Sequence, residues 1–244
     1  MLSKSQIKLI TSLKQKKYRQ QYEFFVAEGV KTIKELLQSN LELHKLYTTE
    51  SFNIDAKLEV IISDSDLKRI SFLKTPNKAL AVFKIPKTKV IDSSGLIVAL
   101  DAIRDPGNLG TIIRLCDWFG VKELVCSAAT VDCFNPKVIQ ATMGSITRVN
   151  ISYVDLVSFI KECESPVFGA FMEGSNVYSK KLPENGILVM GNEANGVSKE
   201  VEDTIIEKIS IPRFGTLQAT ESLNVATATA ILLSEFRRNL VVKF

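Results

Sequence analysis

Three short stretches gather the side chains with which this chain of 244 residues could do chemistry. DPGNLGTIIR (residues 105–114) sets Asp105, Pro106, two glycines and Asn108 ahead of Arg114. VMGNEANG (189–196) sets Gly191 and Gly196 on either side of Glu193. ESLNVATATAILL (221–233) opens with Ser222, Leu223 and Asn224 before a run of small residues. Amides, a hydroxyl and a carboxylate suit the positioning of a polar substrate, and a guanidinium suits binding a phosphate or stabilising a developing negative charge. Each stretch also has a plainer local explanation. Asp105 followed by Pro106 fits a helix N-cap with proline at the first helical position, although Asn108 could cap a later start. Arg114 shares a helix face with Asp117 and Trp118, so a surface salt bridge competes with a ligand contact. Thr220 or Ser222 could cap the last helix, with Asn224 serving as local capping chemistry in its first turn. Glycines beside Glu193 permit tight turns or the close approach of a ligand.

The chemistries excluded are as informative. His44 is the only histidine, which argues against a Ser/His/Asp triad or a multi-histidine metal site. Cys116, Cys126, Cys133 and Cys163 have no CxxC spacing and lie in apolar contexts, so they read as buried thiols rather than disulfides or metal ligands. No GxGxxG follows a strand, which argues against a dinucleotide-dependent oxidoreductase. No segment has the roughly 20 apolar residues of a membrane span, and the N-terminus lacks an apolar signal core, so a cytoplasmic location is expected. The formal net charge is only +4, but six basic residues and no acidic one lie between Met1 and Gln20. Lys14, Lys16, Lys17 and Arg19 in that run are candidate contacts to a phosphate backbone, with a solvated helix face as the alternative.

The elements that must position these residues alternate along the chain. A basic helix near residues 4–15 precedes FFVAEG, helical VKTIKELLQS, the strands ELHKLYTT and LEVIIS, helical SDLKRISFL and the strand ALAVFKI. PKTKVIDSSG (86–95) then reads as a linker. Beyond it, LIVALD, ELVCS, RVNISY, VFGAFM, ILVMGNE and EKISIP are apolar enough to be strands covered on both faces, hence a mostly parallel sheet. The three polar stretches follow strands of this sheet, at the carboxyl ends where sites gather in open α/β folds.

In order, spacing and strand context, LDAIRDPGNLGTIIRLCDWFG, VMGNEANGVS and ESLNVATATAILL resemble the three motifs of the SpoU (TrmH-like) family of S-adenosylmethionine-dependent RNA ribose methyltransferases. ATMGSITRV is similar to a family stretch between the first two motifs. SLKQKKYRQQYEFFVAEGVKTIKELL resembles the family's small substrate-binding domain. The resemblance implies an α/β architecture in which an RNA substrate-binding domain (residues 1–90) precedes a parallel-sheet methyltransferase domain (residues 91–244) with a C-terminal trefoil knot. It implies S-adenosylmethionine as cofactor, a homodimer whose subunits complete the cavity, no metal and no membrane. The partner is structured RNA, with large-subunit rRNA favoured over tRNA. A tRNA ribose methyltransferase, or an RNA-binding protein of the same fold without turnover, is the alternative.

Carried over, the catalytic set is Asn108, Arg114, Glu193, Ser222 and Asn224, and Gly191, Ile211 and Leu223 lie against the cofactor. Glu193 would hold Arg114 in place, and the slim ATATA helix would offer a close-packing face to the second subunit. Two departures stand out: Ala194 replaces the usual glycine after the motif glutamate, and the stretch from Ile211 to Ser222 is longer than is common. A charged guanidinium has no acceptor site, so Arg114 is read here as binding phosphate and stabilising alkoxide charge rather than taking the proton.

Overall fold

The computed structural model describes residues 2–217 and 222–240. Packing contacts divide the chain into two compact units. One is formed by Met1–Lys87 together with Asp132–Thr147, the other by Thr88–Val131 together with Arg148–Phe244. The break near residue 87 falls in the expected linker. The return of residues 132–147 to the first unit has no signal in the sequence, because it rests on tertiary contacts alone.

The first unit runs α1 (Lys4–Ser12), α2 (Lys16–Tyr22), β1 (Phe24–Glu28), α3 (Val30–Leu37), β2 (Leu43–Thr48), β3 (Glu59–Ile61), α4 (Asp64–Ile70) and β4 (Ala79–Lys84). Its sheet has the order β1-β4-β2-β3, antiparallel except for β2 with β3. Ile10, Leu13, Val26, Leu67, Ile70, Leu80 and Val82 pack together as its core. The basic helix expected near residues 4–15 is α1, which ends at Ser12; a second helix, α2, which the sequence reading did not expect, follows from Lys16, and Arg19 ties the two. Its Nη1 donates to the carbonyls of Leu13 (2.8 Å) and Lys14 (2.9 Å), which are freed where α1 ends. Its Nε and Nη2 donate to Asp132 Oδ2 at 2.8 and 2.5 Å. At 2% exposure Arg19 is enclosed by its own unit, so it is withdrawn as an RNA contact. Lys14, Lys16 and Lys17 are exposed. His44 stacks on Phe24 (4.3 Å between ring centroids), and burial followed by the charges of Lys45 and Lys84 holds it below the usual histidine range.

The chain continues through β5 (Leu96–Leu100), α5 (Pro106–Trp118) and β6 (Glu123–Ser127) of the second unit, then α6 (Pro136–Thr142) of the first. It returns to the second for β7 (Asn150–Val154), α7 (Leu156–Glu162), β8 (Val167–Asn176), β9 (Gly186–Met190), α8 (Lys199–Glu202), β10 (Glu207–Ser210) and α9 (Val225–Arg237). The sheet order is β10-β8-β9-β5-β6-β7, and every pairing is parallel. Ile97, Val98 and Ala99 of β5 and Ile187, Leu188 and Val189 of β9 have no exposed surface. Apolar residues without alternation are what a strand covered on both faces requires. Cys116, Cys126 and Cys133 are buried as expected, while Cys163 is half-buried, and burial followed by the charge of Asp117 pushes the Cys116 thiol up to about 12. Among the described residues no helix is long and apolar enough to cross a membrane.

Candidate active site

The carboxyl ends of β5 and β9, adjacent in the sheet, launch two of the three polar stretches side by side. After β5, Asp101 donates its amide to the Met190 carbonyl (2.9 Å), and its buried carboxylate accepts from the Ser198 amide (2.7 Å). Ala102 turns the chain with φ +57°, its amide donating to Ser127 Oγ at 2.9 Å. Asp105 then caps α5, accepting from the Asn108 amide at 2.8 Å with Pro106 in the first turn, so Asp105 rather than Asn108 is the cap. The first helical turn therefore presents the Asn108 side chain at the strand ends instead of spending it on the backbone.

After β9 the chain doubles back, Asn192 and Gly196 exchanging both backbone hydrogen bonds (2.8 and 2.9 Å). A Cβ on Gly191 would lie 2.3 Å from the Gly196 carbon and the Val197 nitrogen. The close approach that this glycine permits is thus to its own loop. The positive φ of the loop falls on Gly196 (+70°), and Ala194 is not among the residues with positive φ. Alanine in place of the family's glycine therefore fits without strain. Gly191→Ala should cost about 1–3 kcal/mol of stability through overpacking, measurable by chemical denaturation; an unchanged midpoint would mean that the loop re-forms around the methyl group.

Three motif residues meet in one polar chain. Asn224 is the N-cap of α9, its Oδ1 accepting from the amides of Ala226 (2.9 Å) and Thr227 (3.3 Å). That fixes which end of the amide faces outward, and Asn224 Nδ2 donates to Asn108 Oδ1 at 2.9 Å. Asn108 Nδ2 is then aimed at Glu193 Oε1, 3.0 Å away. Ser222 is not the cap of α9, and Thr220 lies outside the described residues.

Glu193 is held by Asn108 rather than by Arg114. The guanidinium of Arg114 stands on the exposed stripe of α5 with Trp118, which is 84% exposed, and forms no ion pair among the described residues. The competing salt bridge is absent as well, because Asp117 is taken by Arg148, whose Nε lies 3.0 and 2.9 Å from its two carboxylate oxygens. Ser222 is exposed, and Gly191 and Ile211 are half-buried. Part of the long stretch between Ile211 and Ser222 falls outside the described residues. The small-residue helix α9 turns Ala226 and Thr229 inward and packs on α5 of the same chain, so its slimness serves this unit and gives no argument for a second subunit.

Sequence reasoning passed over Asp101, Ser127 and Asn192. Asn192 Nδ2 donates to the Ala102 carbonyl (2.6 Å), while its Oδ1 accepts from the amides of Ala194 (3.0 Å) and Asn195 (3.1 Å). All three are polar residues at the ends of apolar strands. That signal was present in LIVALD, ELVCS and ILVMGNE.

The SpoU rRNA Methylase family matches residues 95–234, more than half of the chain, and that span holds all three motifs. The chain belongs to the SpoU rRNA methylase family. Residues 4–81 match the MRM3-like substrate binding domain. The 23S rRNA (guanosine(2553)-2′-O)-methyltransferase RlmP of Bacillus subtilis is 29% identical over 232 residues, covering 91% of this chain and 92% of that protein. A solved structure of a TrmH-family protein from Porphyromonas gingivalis is 40% identical with a TM-score of 0.88, covering 98% of this chain and 99% of its own. An AdoMet-bound rRNA methyltransferase from Sinorhizobium meliloti is 29% identical, with a TM-score of 0.87 over 99% of this chain and 98% of its own.

The residues present fit a cofactor with an apolar, planar part. Beyond β10, Phe214 (84% exposed), whose ring stands 6.2 Å from that of Tyr178, Leu217 (87%) and Leu223 (47%), which precedes the α9 cap Asn224, leave apolar side chains uncovered that suit the faces of a ring.

Proposed function

We propose that the protein is an RNA 2′-O-ribose methyltransferase that uses S-adenosylmethionine and acts on large-subunit rRNA. The observation that carries this is the chain Glu193–Asn108–Asn224, which draws one residue from each of three distant motifs to the carboxyl edge of a parallel sheet. Gly191, Ile211 and Leu223 are the residues that would hold the cofactor, which supplies a methyl group on a positively charged sulfur. Held there, it would supply that methyl carbon to the ribose oxygen, its sulfur keeping the electron pair of the broken carbon–sulfur bond as a neutral thioether while the hydroxyl gives up its proton. Asn108 and Asn224, locked by the cap of α9, orient the loops and the ribose, with Ser222 beside them. Arg114 binds the phosphate next to the reacting ribose and stabilises negative charge as it builds on the oxygen.

Homodimerisation gives the exposed Arg114 and Trp118 a role, since a cavity completed by a second subunit would use a guanidinium that has no ion pair among the described residues of its own chain. The C-terminal trefoil knot and a cytoplasmic location complete this reading. We assign RNA binding to the first unit. Replacing Lys14, Lys16 and Lys17 with neutral residues should weaken RNA binding and flatten its salt dependence, by about 0.7 in log–log slope for each single-strand phosphate no longer neutralised. Affinity across a salt series measures this, and parallel lines of equal slope would reduce these lysines to a solvated face. The function itself is tested by mapping ribose methylation in total RNA from cells with and without the protein. One missing mark would name the nucleotide; an unchanged map together with no methyl transfer in vitro would leave a binding protein of the same fold.

A further inference from the structure

Within the first unit, Val26, Glu28, Phe72, Lys137, Gln140 and Ala141 line a cavity of about 240 Å³ between the end of β1 and α6. It is smaller than the roughly 300–1,000 Å³ that houses a drug-sized ligand, which suits a single flat ring system. Its walls are mostly apolar, with Glu28, Lys137 and Gln140 as the polar groups among them. Glu28 is 5% exposed, its Oε2 accepting from Ser71 Oγ at 2.5 Å and its Oε1 from the Phe72 amide at 2.8 Å. A carboxylate offers about four acceptor sites, so these two bonds leave one on each oxygen. No basic side chain pairs with Glu28 among the described residues, and burial holds its carboxyl above the usual glutamate range. A buried carboxylate without a cation is costly. A ligand presenting N–H donors would meet its open acceptor sites.

We infer that this cavity receives one unpaired guanine base of the RNA, its N1–H and exocyclic amine donating to Glu28, its ring against Phe72, and its phosphate reached by the exposed Lys137. Guanine is the natural base that carries two adjacent N–H donors on one edge, the complement of a carboxylate. Single-stranded RNA is ordinarily recognised in this way, through stacking on an aromatic side chain and hydrogen bonds to a base edge. The polar chain around Asn108 belongs to the other unit, so the role assigned to this base is recognition rather than reaction. The inference rests on the reading of the protein as an RNA enzyme.

The experiment is fluorescence anisotropy of the full chain with two nine-nucleotide RNAs of uridines, one with a central guanosine and one with a central inosine, which lacks the exocyclic amine. About tenfold tighter binding of the guanosine RNA is expected, the scale of a good two-point base contact. Glu28→Gln should remove the preference by replacing one acceptor with a donor. Ala141→Phe should remove it by filling the cavity while sparing the contacts of Glu28. Both variants should still bind S-adenosylmethionine in calorimetry, because its proposed residues lie in the other unit. Equal affinity of the unmodified protein for the two RNAs overturns the proposal, as does a full preference kept in a folded variant. If either variant fails to fold, the comparison of the two RNAs on the unmodified protein still decides. Methyl transfer to rRNA without base preference would return the cavity to a structural or protein-binding role. Guanosine preference without cofactor binding or methyl transfer would overturn the enzymatic reading and leave the pocket standing.

Discussion

Arg114→Ala should lower methyl transfer by about 10²- to 10³-fold, the usual loss when one donor that stabilises transition-state charge is removed, with little change in S-adenosylmethionine affinity. The structure removes the simplest alternative for this side chain. Asp117, the partner a surface salt bridge would need, is already paired with Arg148, and Arg114 stands exposed on α5. Folding should therefore be indifferent to the substitution, and the unfolding midpoint of the variant should match that of the parent. Single-turnover transfer with saturating RNA and cofactor separates the chemical step from binding. Near-parental turnover would show that Arg114 does not touch the reacting centre, and the proposed charge stabilisation would have to come from another group.

Arg19→Ala should instead act on stability, by about 3–5 kcal/mol, the cost of breaking a buried ion pair by removing one partner. Three effects coincide there. Asp132 keeps only its bond from the Phe134 amide through Oδ1, and the carbonyls of Leu13 and Lys14 are left without their donor where α1 gives way to α2. Because Arg19 and Asp132 are 113 residues apart in sequence, the substitution also loosens the tie that holds residues 132–147 to the first unit. Urea denaturation measures the destabilisation. An unchanged midpoint joined to weakened RNA binding would reverse the assignment and restore Arg19 to the phosphate-contacting set.

The contrast between these two arginines shows where the sequence stopped being informative. Both stand out by type and neighbourhood. Arg114 stays outside because α5 has a regular apolar stripe of Leu109, Ile112, Ile113 and Cys116, a periodicity of one helix that can be read without its neighbours. Arg19 goes inside because a carboxylate from a distant part of the chain is waiting there, and the period of α2 holds no record of that.

The same division runs through the rest of the protein. Strands buried on both faces, the parallel sheet and the burial of Cys116, Cys126 and Cys133 are consequences of local composition and propensity, and the sequence alone determined them. The joining of Glu193 to Asn108 and of Asn108 to Asn224, the tight loop that needs Gly191, the return of residues 132–147 to the first unit and the carboxylate of Glu28 beside a cavity were decided by the tertiary structure. Each depends on which strand ends become neighbours in the sheet or which distant segment covers a face, and such long-range contacts leave no periodic trace in the segments that make them.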